Sequence, residues 1–330
     1  MATPITTRPA PEAAVLGKPT VGQRVTSFMP VIALVVLLGA LSIADPGFLT
    51  QSSLTAAIRT AAPLIVLAAG ATLVVLCGGI DLSIAALCSL ATVFYAMWLP
   101  DLDGVTTVAV IAATAAIGAL QGIAHVVLRI PSFVVTLGGM SIFTAIALVI
   151  SDAGPIRVVD REPTHWLTLY LGGVVPMAFA VALLVVLVVS LVLRFTPLDS
   201  WVRATGYSEA AARLAGSPVD LVKVGAFALS GACAGLAAIM LVSRNFSGSP
   251  TMADNLLLPA IAAIVVGGTA ITGGHGSLWR SLAGALVVTL LRVGLPIVGV
   301  PSAYEQILYG AIIVAAVALT LDRSKVLIIK

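Results

Sequence analysis

Apolar residues run along this chain in long blocks and do not alternate with polar ones. Between residues 28 and 321, blocks of roughly 17–24 apolar residues follow one another, separated by short polar stretches. A block of that length crosses about 30 Å of hydrocarbon as a helix. The blocks at 28–44, 61–78, 83–99, 104–128, 134–150, 171–193, 222–243, 258–272, 279–298 and 304–321 predict ten spans. Residues 48–60 are short and mildly amphipathic, and are expected to form a separate interfacial or re-entrant helix. Inside lipid every backbone N–H and C=O must be paired internally, so the blocks are helices. A barrel would need alternating strands of about 10 residues, a pattern the chain lacks. The fold class expected is all-α, a polytopic transmembrane helical bundle of about ten spans.

The ends are different. Residues 1–27 are polar and rich in Pro, Thr and Ala, and read as a flexible cytoplasmic tail; 322–330 read as a second one. Ser42 and Ala44 make a passable signal-peptide cleavage site, but no soluble domain follows, so 28–44 is expected to be a retained first helix opening a membrane domain over 28–321.

Composition agrees with the blocks. Of 330 residues 60% are hydrophobic and 9% charged, against about 25% charged in a soluble domain. A net charge of +3, dispersed along the chain, does not suggest nucleic acid as a partner. Its distribution sets orientation. With ten spans and the N-terminus inside, 12 of the 17 Lys and Arg fall on cytoplasmic segments, leaving Arg59, Arg157, Arg161, Arg244 and Arg292 outside. Eight acidic residues fall outside: Asp45, Asp101, Asp103, Asp152, Asp160, Glu162, Asp254 and Glu305. The positive-inside rule then places both termini in the cytoplasm. The longest polar stretch, 194–221, lies inside; the loop 151–170, with Pro155, Pro163, Trp166 and Tyr170, lies outside as an interfacial loop with aromatic anchors. Cys77, Cys88 and Cys233 sit in or beside apolar blocks and read as buried small hydrophobes, with no metal site.

Three polar interruptions carry the chemistry. Gly78-Gly79-Ile80-Asp81-Leu82-Ser83 breaks two apolar runs. Asp81 or Ser83 can cap the free N–H groups of the helix that follows, or Asp81 can line a polar pathway. Gly267, Gly268, Gly273, Gly274 and Gly276, with Thr269, Thr272, His275 and Ser277, break the chain again late in its length. Paired breaks in corresponding halves point to a two-fold internal repeat of a transporter fold. No Gly-Lys-Ser/Thr follows, so the run is not a phosphate-binding loop, and His275 stands alone as a loop residue. The third interruption is cytoplasmic, Ala204-Thr205-Gly206-Tyr207-Ser208-Glu209-Ala210-Ala211-Ala212-Arg213-Leu214-Ala215-Gly216. Ser208 can cap a short helix with Glu209 in its first turn and a chain turn at Gly216. Its alanines give a smooth face that either meets another protein or stays a plain surface.

Here the chain resembles the permease subunits of the ribose, xylose, galactose and arabinose class of bacterial ABC importers. The resemblance rests on 78–83, on Arg129-Ile130-Pro131-Ser132-Phe133-Val134-Val135-Thr136-Leu137-Gly138, on the alanine-rich loop, on Ala260-Ile261-Ala262-Ala263-Ile264-Val265-Val266-Gly267-Gly268-Thr269, and on Gly273-Gly274-His275-Gly276-Ser277. They occur in the family's order over about 65–310. Two departures stand out. Asp199-Ser200 replace the usual Gly-Arg, with Ala204-Thr205-Gly206-Tyr207-Ser208 replacing Ala-Ile-Gly-Gly-Asn, and Ser132 intervenes between Pro131 and Phe133.

The resemblance implies a subunit of the bacterial cytoplasmic (inner) membrane that imports a monosaccharide, a pentose or related sugar. It implies a second permease subunit forming a homodimer, two ATP-binding subunits that carry ATP and Mg, and an outer substrate-binding protein that delivers to loops 151–170 and 244–257. The chain itself would bind no cofactor and hold no catalytic residue. The loop 194–221 would be the coupling loop, with Ser208, Glu209, Ala210, Ala211, Ala212, Arg213 and Gly216 receiving the ATPase. Ser83, Ser89, Thr92, Gln121, Thr136 and Ser141 are polar groups on apolar helices, candidates either to line the pathway or to bond a neighbouring helix. Other cargoes are a nucleoside, a polyol, a signalling sugar or a branched-chain amino acid. An ion-coupled carrier would need ionisable groups at mid-span, and an intramembrane enzyme would need a motif such as His-Glu-x-x-His; the chain shows neither.

Overall fold

The computed structural model describes residues 21–320. Residues 1–20 of the proposed first tail, and the second tail at 322–330, lie outside the described residues. Thirteen α-helices follow in order: α1 (Val21–Ala44), α2 (Gln51–Leu76), α3 (Ile84–Leu102), α4 (Thr106–Leu128), α5 (Ser132–Ile150), α6 (Glu162–Thr168), α7 (Met177–Phe195), α8 (Leu198–Tyr207), α9 (Glu209–Leu214), α10 (Val219–Asn245), α11 (Leu257–Val266), α12 (Leu278–Ile297) and α13 (Glu305–Thr320). Two antiparallel ladders supply the described sheet: β1 (Ile156–Arg157) pairs with β4 (Ser247–Gly248), and β2 (Tyr170–Leu171) with β3 (Val175–Pro176).

Burial is arranged inside out. α2 is buried without a break from Ala61 to Leu76 and is surrounded by α7, α10, α11 and α12. The outer helices bury narrow stripes spaced three or four residues apart: Val110, Thr114, Gly118 and Gln121 on α4; Ser132, Thr136, Gly139, Phe143 and Ala147 on α5; Ala178, Ala182 and Val186 on α7. Their other faces present large apolar side chains outward, among them Val108, Leu120, Ile142, Leu184 and Val188. A core of small and hydroxyl residues under an apolar exterior is what a lipid solvent selects, because helices there gain by close packing and not by hiding oil from water. Among the described residues, six helical segments are long and apolar enough to cross a membrane. One of these is Ile84–Leu128, where a 3-10 turn at Asp103–Val105 joins α3 to α4. The chain is a multi-pass membrane protein.

Each predicted block overlaps one helix, with four corrections. Residues 51–60 are not a separate interfacial or re-entrant helix; they are the first turns of α2, whose start is set by Thr50 accepting from Ser53 N. Phe48 sits in a 3-10 turn (Pro46–Leu49) and is buried. The block 258–272 is helical only to Val266, because Gly268 takes φ +73° and the chain turns away. The block 171–193 begins its helix at Met177, its first six residues belonging to the β2–β3 hairpin. Finally, Val21–Ser27 continue α1 as helix instead of belonging to a flexible tail. α1 packs on α12, with Leu41 filling the space beside Gly294.

The most extensive helix-to-helix contact is between α4 and α10. Each helix carries a Gly-x-x-x-Gly run: Gly118 meets Gly231, while Gly122 lies against Val224 and Phe227, and Gly235 against Thr114 and Ile111. A Cβ at Gly118 would lie 2.2 Å from the carbonyl oxygen of Phe227, and one at Gly231 would lie 2.1 Å from that of Thr114. Backbones this close exclude even a methyl group. Gly118→Ala or Gly231→Ala should therefore cost about 1–3 kcal/mol by overpacking, read as a lowered Tm of the detergent-solubilised protein. Gly138→Ala and Gly225→Ala, where nothing lies within 4 Å of the added carbon, should leave Tm unchanged or raise it. Equal effects at all four positions would refute the packing argument.

Candidate functional site

The first glycine break is a buried knot. α2 ends at Leu76 with Cys77 as its C-cap, and Gly78 at φ +78° turns the chain back. Ile80 N donates to Ser132 Oγ at 2.9 Å and Leu82 N to Thr136 Oγ1 at 3.1 Å. Asp81, 7% exposed, accepts from Ser83 N (2.9 Å) and Ser83 Oγ (2.7 Å) with one oxygen, and from Ser230 Oγ (2.7 Å) with the other. Gln121 Nε2 donates to Ser83 Oγ at 2.9 Å. Ser83 occupies the N-cap of α3 but makes no side-chain cap bond; Asp81 holds its N–H instead. One loop thus ties together α3, α4, α5 and α10. Ser132, the residue that departs from the resemblance, is one of the ties.

The second break touches the first. Gly267 ends α11, and Gly268, Gly273 and Gly274 all have φ between +73° and +91°. A Cβ on Gly267 would lie 2.6 Å from Arg280 O, and one on Gly276 would lie 2.5 Å from Thr269 Cγ2. Gly274 N donates to Leu76 O, at the end of α2, at 2.9 Å. Gly206, on α8, is pressed against both breaks: its absent Cβ would lie 2.0 Å from Leu76 O and 2.4 Å from Gly274 N. Gly273 likewise leaves 2.8 Å to Gly78 Cα. Side chains reinforce the junction. Arg203 Nη1 donates to Gly276 O (3.1 Å) and Gly274 O (3.4 Å), while its Nε is held by both oxygens of Asp199 (2.8 and 2.9 Å). Tyr207 OH hydrogen-bonds His275 Nδ1, and the two rings meet edge to face.

Beyond Tyr207 the chain forms α9. Ser208 is its N-cap and accepts from Ala211 N. Gly216 at φ +80° closes it: Gly216 N bonds Arg213 O and Ser217 N bonds Ala212 O, both at 3.0 Å, the 5→2 and 6→1 pair of a Schellman motif. Only Ala212 is buried; Ala210, Ala211 and Leu214 face outward, Leu214 at 91% exposure. Ion pairs set the helix against α10: Glu209 meets Arg213 (3.0 Å) and Lys223 (2.6 Å), and Arg213 also meets Asp220. Hydrogen bonding from Lys223 holds the Glu209 carboxyl below its usual range. The Glu209 pairs are therefore complete at neutral pH and are released only as pH falls through that lowered value.

The remaining candidates separate. Ser83, Ser89, Thr92 and Thr136 are fully buried and Gln121 nearly so. Ser89 accepts from Ala253 N (2.9 Å) and donates to Asp254 (3.0 Å); Thr92 exchanges hydrogen bonds with Ser249, both at 3.0 Å. All five serve helix-to-helix or helix-to-loop bonds in this conformation. Ser141 is exposed and bonds back to Leu137 O at 3.4 Å. The three cysteines are buried and free, and no metal-holding group of His, Cys, Asp or Glu occurs among the described residues. Sequence reasoning missed Ser230, Arg203, Gly206, Tyr207 and Lys223 as site residues. The Asp199–Arg203 spacing of four on one helix was the available signal for Arg203.

Asp81→Ala should strand two buried hydroxyls and a backbone N–H. At about 1–3 kcal/mol for each unsatisfied buried group, the variant should melt several degrees lower than wild type, with Asp81→Asn between them. A Tm for Asp81→Ala equal to wild type would show that the knot is not a stabilising element.

Comparison with known proteins identifies the family. The family model of the branched-chain amino acid transport system / permease component matches residues 53–317. The chain is 34% identical to the ribose import permease protein RbsC of Escherichia coli (strain K12), covering 87% of this chain and 91% of that one. It is 34% identical to the ribose import permease protein of Bacillus subtilis (strain 168), covering 90% and 92%. It is 31% identical to the fructose import permease protein FrcC of Rhizobium meliloti, covering 88% and 84%. This chain belongs to the branched-chain amino acid transport system / permease component family.

Proposed function

We propose that this chain is the permease subunit of an ATP-driven importer for a monosaccharide, a pentose or a related sugar, in a bacterial cytoplasmic membrane. One observation supports it above the others: a capped, outward-facing helix, α9, continues from α8, which is wedged by Gly206 between both glycine breaks. A force applied at α9 reaches α2, α3, α11 and α12 through backbone contacts. The partners that would apply it are two ATP-binding subunits, which bind ATP and Mg and dock on Ala210, Ala211 and Leu214. Their closure would tilt α8 and shift the two breaks against each other, alternating access between two permease subunits of a homodimer.

The topology follows from the same reading. Ten crossings put both termini and the 194–221 coupling loop in the cytoplasm, and α2–α3 and α11–α12 are the corresponding broken pairs of a two-fold repeat. The cargo class is supported by the names of the relatives, two of which import ribose and one fructose. The polar candidates are engaged in helix contacts, so selectivity rests with a substrate-binding protein outside, and the permease offers a weakly polar passage that releases cargo readily.

The test is sugar uptake and ATP hydrolysis in vesicles holding this chain with its ATPase and binding protein. Glu209→Arg opens the clamp to Arg213 and Lys223, and Gly206→Ala forces a methyl between the breaks. An overlap costing about 1–3 kcal/mol in the switching state should reduce uptake about tenfold while hydrolysis continues. Wild-type uptake by both variants would sink the coupling role. Uptake by this chain alone, driven by an ion gradient, would replace the reading with a secondary carrier.

A further inference from the structure

The glycine junction has a cavity at its edge. About 420 Å³ of space lies between the first glycine break, the elbow that joins α8 to α9, the end of α4, the start of α5 and the near turns of α10. One wall is the break itself, Gly78, Gly79 and Ile80; another is the elbow, Thr205 to Glu209. Five buried side-chain oxygens have no hydrogen-bond partner among the described residues, and Thr205 Oγ1 is the one that belongs to this lining. Thr205 is 4% exposed. A buried hydroxyl without a partner costs stability, because it has given up water and gained nothing in exchange. A ligand in the cavity that bonds this hydroxyl removes the cost.

The rest of the lining selects a neutral ligand rich in hydroxyls. Its carboxylate, Glu209, is matched by its ammonium, Lys223, at 2.6 Å, so neither charge is left over to hold an ion. Ser132, Ser208 and Thr272 add hydroxyl groups to that of Thr205, and Gly78 and Gly79 leave their peptide groups uncovered by any side chain. Phe133, Tyr207 and Phe227 supply aromatic rings. Ligand pockets run from about 300 to 1,000 Å³, and this one, at the small end, has room for a single sugar ring. A monosaccharide presents the complement: hydroxyls that both donate and accept, and C–H faces that rest on aromatic rings. The cavity is walled by one subunit, apart from the passage between two subunits that the importer reading requires.

We infer that this cavity is a sensing site for free monosaccharide on the side that receives the cargo, and that its occupancy slows the transporter. The inference rests on the importer reading above and deepens it by naming how delivery is regulated. A sugar bonded at once to the Thr205 hydroxyl and to the peptide groups of Gly78 and Gly79 ties the elbow to the first break. Those are the two parts that must shift against each other when an ATPase closes. A ligand moves such an equilibrium only by its differential affinity for the two states. Here the difference is geometric, since a cavity walled by both parts keeps its shape only while both walls stay in place. Binding therefore holds this arrangement and opposes the next, and product accumulating on the receiving side reduces ATP hydrolysis.

The experiment uses the complete transporter in inside-out proteoliposomes, with the substrate-binding protein and its sugar sealed in the lumen and ATP outside. D-ribose, D-fructose and inorganic phosphate are added outside in turn. The readouts are the half-inhibiting concentration for hydrolysis and the Tm of the solubilised permease. At least one sugar should inhibit hydrolysis and raise Tm, and phosphate should do neither. Thr205→Val keeps the shape of the side chain and removes the hydroxyl. Without sugar its Tm should equal or exceed that of wild type, since no orphan hydroxyl is buried. Its half-inhibiting concentration should rise about three- to tenfold, the worth of one hydrogen bond between neutral groups. Phe133→Leu, which removes a ring and keeps an apolar contact, should weaken inhibition as well. No inhibition by either sugar, in vesicles whose hydrolysis responds to the sealed binding protein, would overturn the sensor and leave the importer reading intact. Inhibition that both variants leave unchanged would place the sugar elsewhere and overturn the site. Phosphate acting as the sugars do would overturn it in favour of an anion site. Hydrolysis indifferent to the sealed binding protein would instead sink the importer reading on which the sensor depends.

Discussion

The close approach of three backbones at Leu76, Gly206 and Gly274 governs the end of the bundle that carries α9. No carbon can be added to Gly206 without coming within 2.0 Å of a carbonyl oxygen, and the same segments are joined by a direct bond from Gly274 N to Leu76 O. Contacts between backbones differ from contacts between side chains in one mechanical respect: they have no rotamers through which to yield. A displacement of α8 is therefore passed on and not absorbed, and packed elements of this kind shift between discrete arrangements instead of deforming gradually. Tyr207 with His275, and Arg203 with the Gly274 and Gly276 carbonyls, add directional bonds around a junction whose spacing glycine sets.

The same rule extends outward through the bundle. Gly118, Gly122, Gly231 and Gly235 bring α4 against α10, and Gly284 brings α12 within 2.0 Å of Ala263 O on α11, all measured to an added Cβ. In lipid, helices gain little from burying leucine against leucine, so close approach and internal hydrogen bonds must hold them together. That accounts for hydroxyl residues lying deep in the core while valine and leucine face out. Asp81 fits the same logic: a buried carboxylate is costly, and three donors from α3 and α10 offset the cost.

Much of this was legible in the chain. The apolar blocks located the ten principal helices, because a run of about 20 apolar residues has few other structures open to it. The Ser208 cap and the Gly216 turn were readable, because each depends on residues within a few positions of each other. The end of α11 and the start of α2 were misplaced. Hydropathy continues past Gly268 although the helix stops there, and drops around Arg59 although the helix does not. The meeting of the two breaks at Gly206 was beyond reach. It joins residues about 70 to 130 positions apart, and no local pattern encodes which glycine faces which.

The polar residues of the helices follow from these constraints. A hydroxyl on an apolar helix can serve the passage or the packing, and in this conformation Ser83, Ser89, Thr92 and Thr136 are committed to packing. A transporter that must let go of its cargo gains from that division, since each strong polar contact along the route would deepen a well from which the cargo must escape. On the importer reading proposed above, affinity rests with a delivering protein outside and power with an ATPase inside. What remains for this chain is transmission, and the backbone-to-backbone contacts of the glycine junction at Gly206 are suited to it.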